Sequence, residues 1–412
     1  MQNGNDIQIG VPGISTPSPA PATTRYVRRK SARKSVLLIA NYRPDRQHSM
    51  LRYASWLSGA MVAEGFNVRR IEPTPHLGLF FPNHHGLRKW LAYVDKFIIF
   101  PIKLLAIVRR YDVVHICDHG NAPYQQFMRG VPTVVTCHDL LAVKSALGET
   151  ESANVGVTGK IFQSWILSSL KKIKYVSCDS AETESDFLRL VGKHSRQVKV
   201  IPMVLNYPFS RMPENLVQRT FERIGFANTE PYFMHIGGNN WYKNRAGVVE
   251  LFAELRKKEK FKNFSLVMIG SAIPEEIEER IRALGISAKI IRILGASSEA
   301  VRAFYSSAQA LLFPSLQEGF GWPILEAQAC GCAVVTSNRE PMPSVGGDAA
   351  YYIDPISPVE SADLIAQNWQ WIQSREGAAI ENLSRYSQVG ARAQLCALYQ
   401  AAMSDSSDRE ES

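Results

Sequence analysis

At 412 residues and 45% hydrophobic content, the chain can bury a large core and divides more naturally into two domains than one. A formal net charge of +9 points to an anionic partner, whether a nucleotide diphosphate, an anionic lipid surface or nucleic acid, and charge alone does not choose among them. The six cysteines (117, 137, 178, 330, 332 and 396) have no paired metal-ligand spacing, which argues against a zinc or disulfide framework and reads as reduced core thiols in a cytosolic protein.

Residues 1–34 are rich in Pro, Ser, Thr and Gly ahead of a basic run from Arg25 to Lys34, and they read as a disordered arm. They contain no apolar h-region, so no signal peptide is expected. From 35 to 205 the pattern is strand, turn, helix, repeated. Val36–Ala40 is a continuous apolar run of the kind found in parallel sheets buried on both faces. A polar loop from Asn41 to Ser49 leads to a helix from about Met50 to Glu64, and further strands are expected at 66–71, 113–116, 133–137, 175–177 and 198–201. Between the second and third of these strands lies the segment 87–110. Its Trp90, Tyr93, Phe97 and Phe100 recur near helical spacing among Arg88, Lys89, Lys96, Lys103, Arg109 and Arg110. Interrupted by Pro101 and Lys103, it is too short to span a bilayer. It suits a helix lying in an anionic membrane interface, and the alternative is that its aromatics pack on the first sheet.

A linker is expected at 206–230, broken by Pro208 and Pro213. The alternation then resumes over 231–385, with strands at 232–236, 265–269, 290–294, 310–313 and 333–336. A C-terminal helix at 386–403 and a disordered acidic tail at 404–412 complete the chain. Such alternation implies α/β architecture with two Rossmann-like, doubly wound domains. Open sheets of this kind bind ligands beyond the carboxyl ends of their strands, and the polar motifs fall there repeatedly. Gly237-Gly238-Asn239 through Lys243-Asn244-Arg245 follows the first strand of the second half. Gly270-Ser271 follows the next, and Ser315 to Gly321 follows the fourth. In the first half, Asn41 to Ser49, Cys117 to Asn121 and His138-Asp139 take the equivalent places.

The densest of these stretches is Ser315-Leu316-Gln317-Glu318-Gly319-Phe320-Gly321-Trp322-Pro323-Ile324-Leu325-Glu326. A strand ends at Pro314, a glycine-bearing turn follows, and Pro323 takes the first turn of a helix. Two carboxylates therefore flank one turn whose glycines leave backbone N–H groups open to a ligand oxygen, a sugar-and-phosphate kind of site. On spacing alone, Glu326 could equally be a first-turn carboxylate stabilising the helix dipole, with Glu318 a solvated loop residue.

The spacing of Glu318 and Glu326 resembles the EX7E motif of the GT4 family of retaining glycosyltransferases. The resemblance implies a GT-B fold, two Rossmann-like domains facing across a cleft, with the acceptor domain first and the nucleotide-sugar donor domain second. It places Glu318 by the donor sugar and Glu326 on the ribose hydroxyls, with Gly319, Phe320, Gly321 and Ser271 lining the donor. The run from Gly237 to Asn244 is similar to the family segment ending in Arg-Lys-Asn, whose basic residues hold the donor diphosphate. Lys243 matches the lysine, Tyr242 replaces the arginine, and Arg245 or another arginine is left to supply the second charge. A lysine offers a point charge where an arginine offers a fork. His138-Asp139 resembles the family's His-Asp pair, which makes His138 a catalytic candidate beside Glu318 and Lys243. Asn41, Gln47, His48, His119 and Asp139 are the acceptor-side candidates. Val345 to Ala350 also matches, although Ser344 stands where a glutamate is common.

The resemblance implies retaining transfer of a hexose from a nucleotide-diphosphate sugar, and the 87–110 segment together with the basic arm suggests a peripheral enzyme on the cytoplasmic membrane face with a lipid-linked or polysaccharide acceptor. No Asp-x-Asp pair occurs in the chain, so no metal and no resident cofactor are expected. Nucleic acid is disfavoured, because the basic arm carries few interleaved aromatics for stacking. The competing classes are a nucleotide-sugar epimerase of GT-B fold, which would release epimerised donor without transfer, and a non-catalytic sugar- or nucleotide-binding protein.

Overall fold

The computed structural model describes residues 6–8, 33–45, 47–76, 91–128, 130–150, 155–193, 196–227 and 230–410. Its strands are β1 (Asp6–Gln8), β2 (Ser35–Ile39), β3 (Asn67–Ile71), β4 (Val113–Ile116), β5 (Thr133–Cys137), β6 (Tyr175–Cys178), β7 (Gln197–Val200), β8 (Tyr232–Gly237), β9 (Ser265–Gly270), β10 (Ile290–Leu294), β11 (Ala310–Phe313), β12 (Ala333–Ser337) and β13 (Ala350–Ile353). The chain separates into two compact units. One runs through Asn206 and resumes at Ser387, and the other holds β1 and Tyr207–Tyr386.

The N-terminal unit is built on a parallel sheet in the order β3-β2-β4-β5-β6-β7. Its central strands are fully enclosed, Val36 to Ile39 and Val113, Val114 and Ile116 included, as near-continuous apolar runs require when helices cover both faces. The edge strands β3 and β7 mix exposed and part-buried residues, which keeps the sheet from pairing onward. The C-terminal unit is a parallel sheet in the order β1-β10-β9-β8-β11-β12-β13. Its core is dense in aromatic contacts, with Phe233 against Phe252, Phe261, Phe264 and Trp369.

Both sheets reverse winding direction once. In the N-terminal unit β2 lies between β3 and β4, and in the C-terminal unit β8 lies between β9 and β11. The switch points are therefore the β2/β4 and β8/β11 strand ends, where the loops diverge and leave a crevice.

Several expectations are corrected. The supposed linker at 206–230 holds the helix Glu214–Ile224, whose Val217 packs with Met212 and Ala303, so the boundary is a sharp one at 206/207. The C-terminal helix runs Gln388–Glu410, which makes the tail expected to be disordered from 404 helical as far as Glu410. Lys174 pairs with Asp405 on it at 2.7 Å. That helix belongs to the N-terminal unit and buries Leu395, Leu398, Tyr399 and Ala402 there. Of the arm at 1–34, residues 6–8 form a strand parallel to β10, with Asp6 opposite Arg292. Residues 1–5 and 9–32 of that arm, and Arg88, Lys89 and Trp90, lie outside the described residues.

In the described part of the segment 87–110, residues 91–110, the aromatics turn inward. Phe97 packs on Tyr124, Phe162 and Trp165, Tyr93 meets Phe162, and Phe100 is buried against Tyr124. A π-helical turn at Asp95–Ile99 precedes the helix Phe100–Ile107. This lets Pro101 sit in a first turn, where its missing N–H costs little. Among the described residues no helix is long and apolar enough to cross a membrane.

Candidate functional site

The β8/β11 switch point gathers most of the expected donor residues. Lys243, in the turn after β8, reaches the loop after β11 and meets both carboxylate oxygens of Glu318, at 2.7 and 2.8 Å. Ser315 donates to the same carboxylate at 2.8 Å. Both partners are largely enclosed, so the pair is screened little and ties the two loops together. Asn244 occupies a left-handed conformation, φ 51 and ψ 41, and donates to the Pro314 and Pro355 carbonyls at 3.0 and 2.9 Å. Its amide is committed to backbone, which makes it a brace for the site.

Arg245 opens the helix Arg245–Arg256 and is 3% exposed. One guanidinium nitrogen donates to Asn239 Oδ1 and, at 3.0 Å, to the Ser271 carbonyl, while Nε has no hydrogen-bond partner. Among the described residues no carboxylate pairs with it, and burial lowers its pKa to about 10, opposed in part by Glu278. A buried cation at the positive end of a helix is doubly unfavourable without an anion. Close by, Gly270 has φ +136, and a Cβ there would fall 2.1 Å from the Gly237 carbonyl oxygen. Only glycine lets β8 and β9 end side by side at this point. His235 is fully buried and uncharged, its pKa pushed down to about 3 chiefly by burial. Its Nδ1 donates to the Leu312 carbonyl at 3.0 Å, and Nε2 has no partner. Buried polar atoms left open in this way mark where a ligand would complete the hydrogen bonding.

Gly321, φ +103, turns the chain into the helix Trp322–Ala329 with Pro323 in its first turn. This half of the motif reads as expected. Glu326 is buried on that helix and accepts from Tyr305 Oη at 3.2 Å. Phe320 is buried edge-on against Tyr386 at 5.8 Å.

At the β2/β4 switch point a second cluster forms. Asn41 donates to Asp118 and, at 2.5 Å, to Gln47, and it accepts from Asn121 at 3.3 Å. The Gly120 N–H donates to Asp118 at 2.8 Å. Burial works to raise the Asp118 pKa, but His119, His138, Asn41 and Gly120 together outweigh it and keep the carboxylate ionised. His119 Nδ1 lies 3.3 Å from Asp118 Oδ1 without hydrogen-bond geometry. Asp139 accepts from the Leu141 N–H at 3.0 Å, and His48 begins the first helix, exposed.

His138 is buried with both ring nitrogens engaged, Nδ1 with Asp179 at 2.6 Å and Nε2 with the Cys117 carbonyl at 2.8 Å. A carbonyl can only accept, so Nε2 carries a proton, and Nδ1 donates to the carboxylate. Burial alone would push the imidazole down and Asp179 up. The contact with Asp179 opposes both, and His138 is raised to about 9, an imidazolium. It therefore holds the ends of β4, β5 and β6 together, and neither nitrogen is free to take a proton from a substrate.

Asp179 was not among the expected site residues, although it follows β6 directly and the strand-end rule would have found it, and Asp118 fell within the strand-end stretch Cys117 to Asn121 without being singled out. Tyr305 and Tyr399 carried no local signal. Among the described residues no group of three or more His, Cys, Asp or Glu side chains is placed to hold a metal ion.

Residues 50–206 match the Glycosyltransferase Family 4 model and residues 217–375 the Glycosyl transferases group 1 model. The chain is 24% identical over 314 residues to D-inositol 3-phosphate glycosyltransferase of Corynebacterium diphtheriae, covering 72% of each. It is 40% identical over 84 residues to O-antigen chain mannosyltransferase B of Escherichia coli, covering 20% of this chain and 22% of that one. The structure of Anabaena Alr3699/HepE in complex with UDP and glucose has the same fold, with a TM-score of 0.68 at 14% identity over 89% of this chain and all of that one. Two family models thus take successive parts of one chain, each centred on a doubly wound sheet whose switch point carries the expected polar cluster: the chain belongs to the GT4 family of glycosyltransferases and has the GT-B fold.

Proposed function

We propose that the protein transfers a hexosyl group from a nucleotide-diphosphate sugar to a lipid-linked or polysaccharide acceptor, with retention of configuration and without a metal ion, as a peripheral enzyme of the cytoplasmic membrane face. The observation that carries the donor half is Arg245, a buried guanidinium with no counter-ion among the described residues, beside the glycine-lined ends of β8 and β9. A diphosphate is the ligand that supplies the missing charge. HepE, of the same fold, has been seen with UDP and glucose, and the O-antigen relative supports a polysaccharide acceptor.

In the proposed reaction the bond from the anomeric carbon to the diphosphate oxygen breaks as one to the acceptor hydroxyl oxygen forms, the hydroxyl proton passes to the departing phosphate oxygen, and negative charge grows on that phosphate as it leaves. Arg245 and Lys243 are fixed in advance to meet it, so little reorganisation is needed at that moment. Glu318 holds Lys243 in place. Glu326 offers its carboxylate to the ribose hydroxyls. The Asn41–Asp118–Asn121 network and Asp139 supply the hydrogen-bonding groups for an acceptor hydroxyl.

Titration calorimetry with UDP- and GDP-sugars, with and without a chelator, tests the donor. Micromolar binding of one nucleotide sugar, unchanged by the chelator, is expected. Absence of binding across the panel, or binding abolished by the chelator, would refute it. Anomeric analysis of the product by NMR tests retention.

A further inference from the structure

With the aromatics of the 91–107 segment packed inward, its opposite face consists of aliphatic residues. Ile98 is 58% and Ile102 65% exposed, one helical turn apart. The helix Val157–Leu170 lies alongside, joined to the first by Phe97 against Phe162 and Trp165. It exposes Val157 at 75% and Ile161 at 66%, again one turn apart. Four large aliphatic side chains on two neighbouring helices exceed the scattered exposure of an ordinary surface.

The charges around them have one sign. Within 91–110 and 155–172 every exposed charged side chain is basic: Lys103, Arg109, Arg110 and Lys160, then Lys171 and Lys172. The acidic residue of these stretches, Asp95, is buried under Tyr42. Lys96 is spent on Asp45 at 2.7 Å. Exposed aliphatic side chains on helices whose own exposed charges are all cations, with the neighbouring Asp45 already paired to Lys96, complement a surface that is apolar within and negative at its rim. A second copy of this face would bring like charges together, and a typical protein partner would need an acidic ring around an apolar centre.

We infer that this two-helix face docks on an anionic lipid bilayer, with Ile98, Ile102, Val157 and Ile161 entering the headgroup–acyl boundary and the basic residues contacting lipid phosphates. The inference deepens the proposed function by assigning the surface that would bring the enzyme to a membrane-borne acceptor. It does not depend on the donor reading.

The test is co-sedimentation of the full chain with phosphatidylcholine vesicles, with and without phosphatidylglycerol. Wild type should pellet with the anionic vesicles and bind neutral ones at least tenfold more weakly. A triple I98E/I102E/I161E variant should bind anionic vesicles at least tenfold more weakly while keeping the wild-type Tm, since all three side chains are already in water. Removing Lys103 and Lys160 together should cost about fivefold for each charge. Equal pelleting of wild type and the triple variant would overturn the proposal, as would equal binding to neutral vesicles. A wild-type dimer in sedimentation velocity that the triple variant dissociates would assign the face to self-association and likewise overturn it. Nucleotide-sugar binding measured on the same proteins separates the two readings: vesicle binding without nucleotide binding sinks the donor assignment alone, and the converse sinks the membrane face alone.

Discussion

Replacing Arg245 with methionine should make the unliganded protein more stable and the enzyme worse. Burial depresses the guanidinium pKa to about 10, which at roughly 1.4 kcal/mol per pH unit corresponds to about 3 kcal/mol for keeping the charge inside. Methionine has similar length and no charge, so it removes that cost and leaves Asn239 and the Ser271 carbonyl without their donor. Those two losses are worth about 1 kcal/mol each, and Asn239 is exposed enough for water to take over. The net expectation is a gain of about 1 kcal/mol in urea unfolding of the ligand-free protein. Nucleotide-sugar binding should weaken by about 10- to 100-fold through loss of a charge-assisted contact. The rise in Tm that nucleotide sugar gives wild type should shrink accordingly. If the ligand-free variant is instead less stable than wild type by 1 kcal/mol or more, Arg245 is a structural strut and the donor argument built on it fails.

Glu326→Ala should weaken nucleotide-sugar affinity with little effect on folding, checked by calorimetry beside a melt; unchanged affinity would remove Glu326 from the donor site. Lys243→Ala should slow transfer by roughly 10²–10³-fold, measured as initial rate at saturating donor, and a wild-type rate would count against it. Tyr399→Phe removes the partner 2.6 Å from His115 Nδ1 inside the N-terminal unit. It should cost about 1–3 kcal/mol in denaturant unfolding and leave nucleotide affinity intact. For His138, raised to about 9 against an ordinary 6.5, the stability it contributes is complete below about pH 6.5 and lost as the pH rises through 9. That contribution is about 3 kcal/mol at most, so the advantage of wild type over His138→Gln in urea melts should shrink between pH 6.5 and 9.5, and a constant gap would show that the ring is not charged.

What the sequence made legible was whatever depends on local pattern. The parallel strands announce themselves as continuous apolar runs. The turn from Pro314 to Pro323 follows from glycine and proline chemistry, and Lys243 and Glu318 fall at strand ends by the rule for open sheets. The sequence hid what depends on distant partners. Nothing near Tyr399 says that a helix at the end of the chain closes the first sheet by bonding His115. Nothing near Asn244 says that its amide is consumed by carbonyls at 314 and 355. The aromatic stripe at 93, 97 and 100 has the same spacing whether it faces lipid or core, and only the presence of Phe162 and Trp165 on another helix decides it. His138 is the clearest case. Its place after β5 suits a catalytic base, yet Asp179, 41 residues away, turns it into a fixed cation.

The same structural device appears twice in this chain with different electrostatics. At the β8/β11 switch point Lys243 and Glu318 cancel one another, Glu326 accepts from Tyr305, and Arg245 has no carboxylate partner among the described residues. At the β2/β4 switch point the carboxylates of Asp118 and Asp179, with Asp139 alongside, gather round the imidazolium of His138, with His119 beside Asp118. A nucleotide diphosphate would be drawn to the first and repelled by the second. An uncharged hydroxyl has the reverse preference, because carboxylate oxygens are strong acceptors and a buried guanidinium offers it only donors. The charge pattern thus supports, beside the glutamate spacing, the proposed assignment of donor to the C-terminal unit and acceptor to the N-terminal unit. The pattern also favours His138 as a cation over a base: neutralised, it would leave buried Asp179 without its counter-ion and would remove one of the groups that hold the Asp118 pKa down.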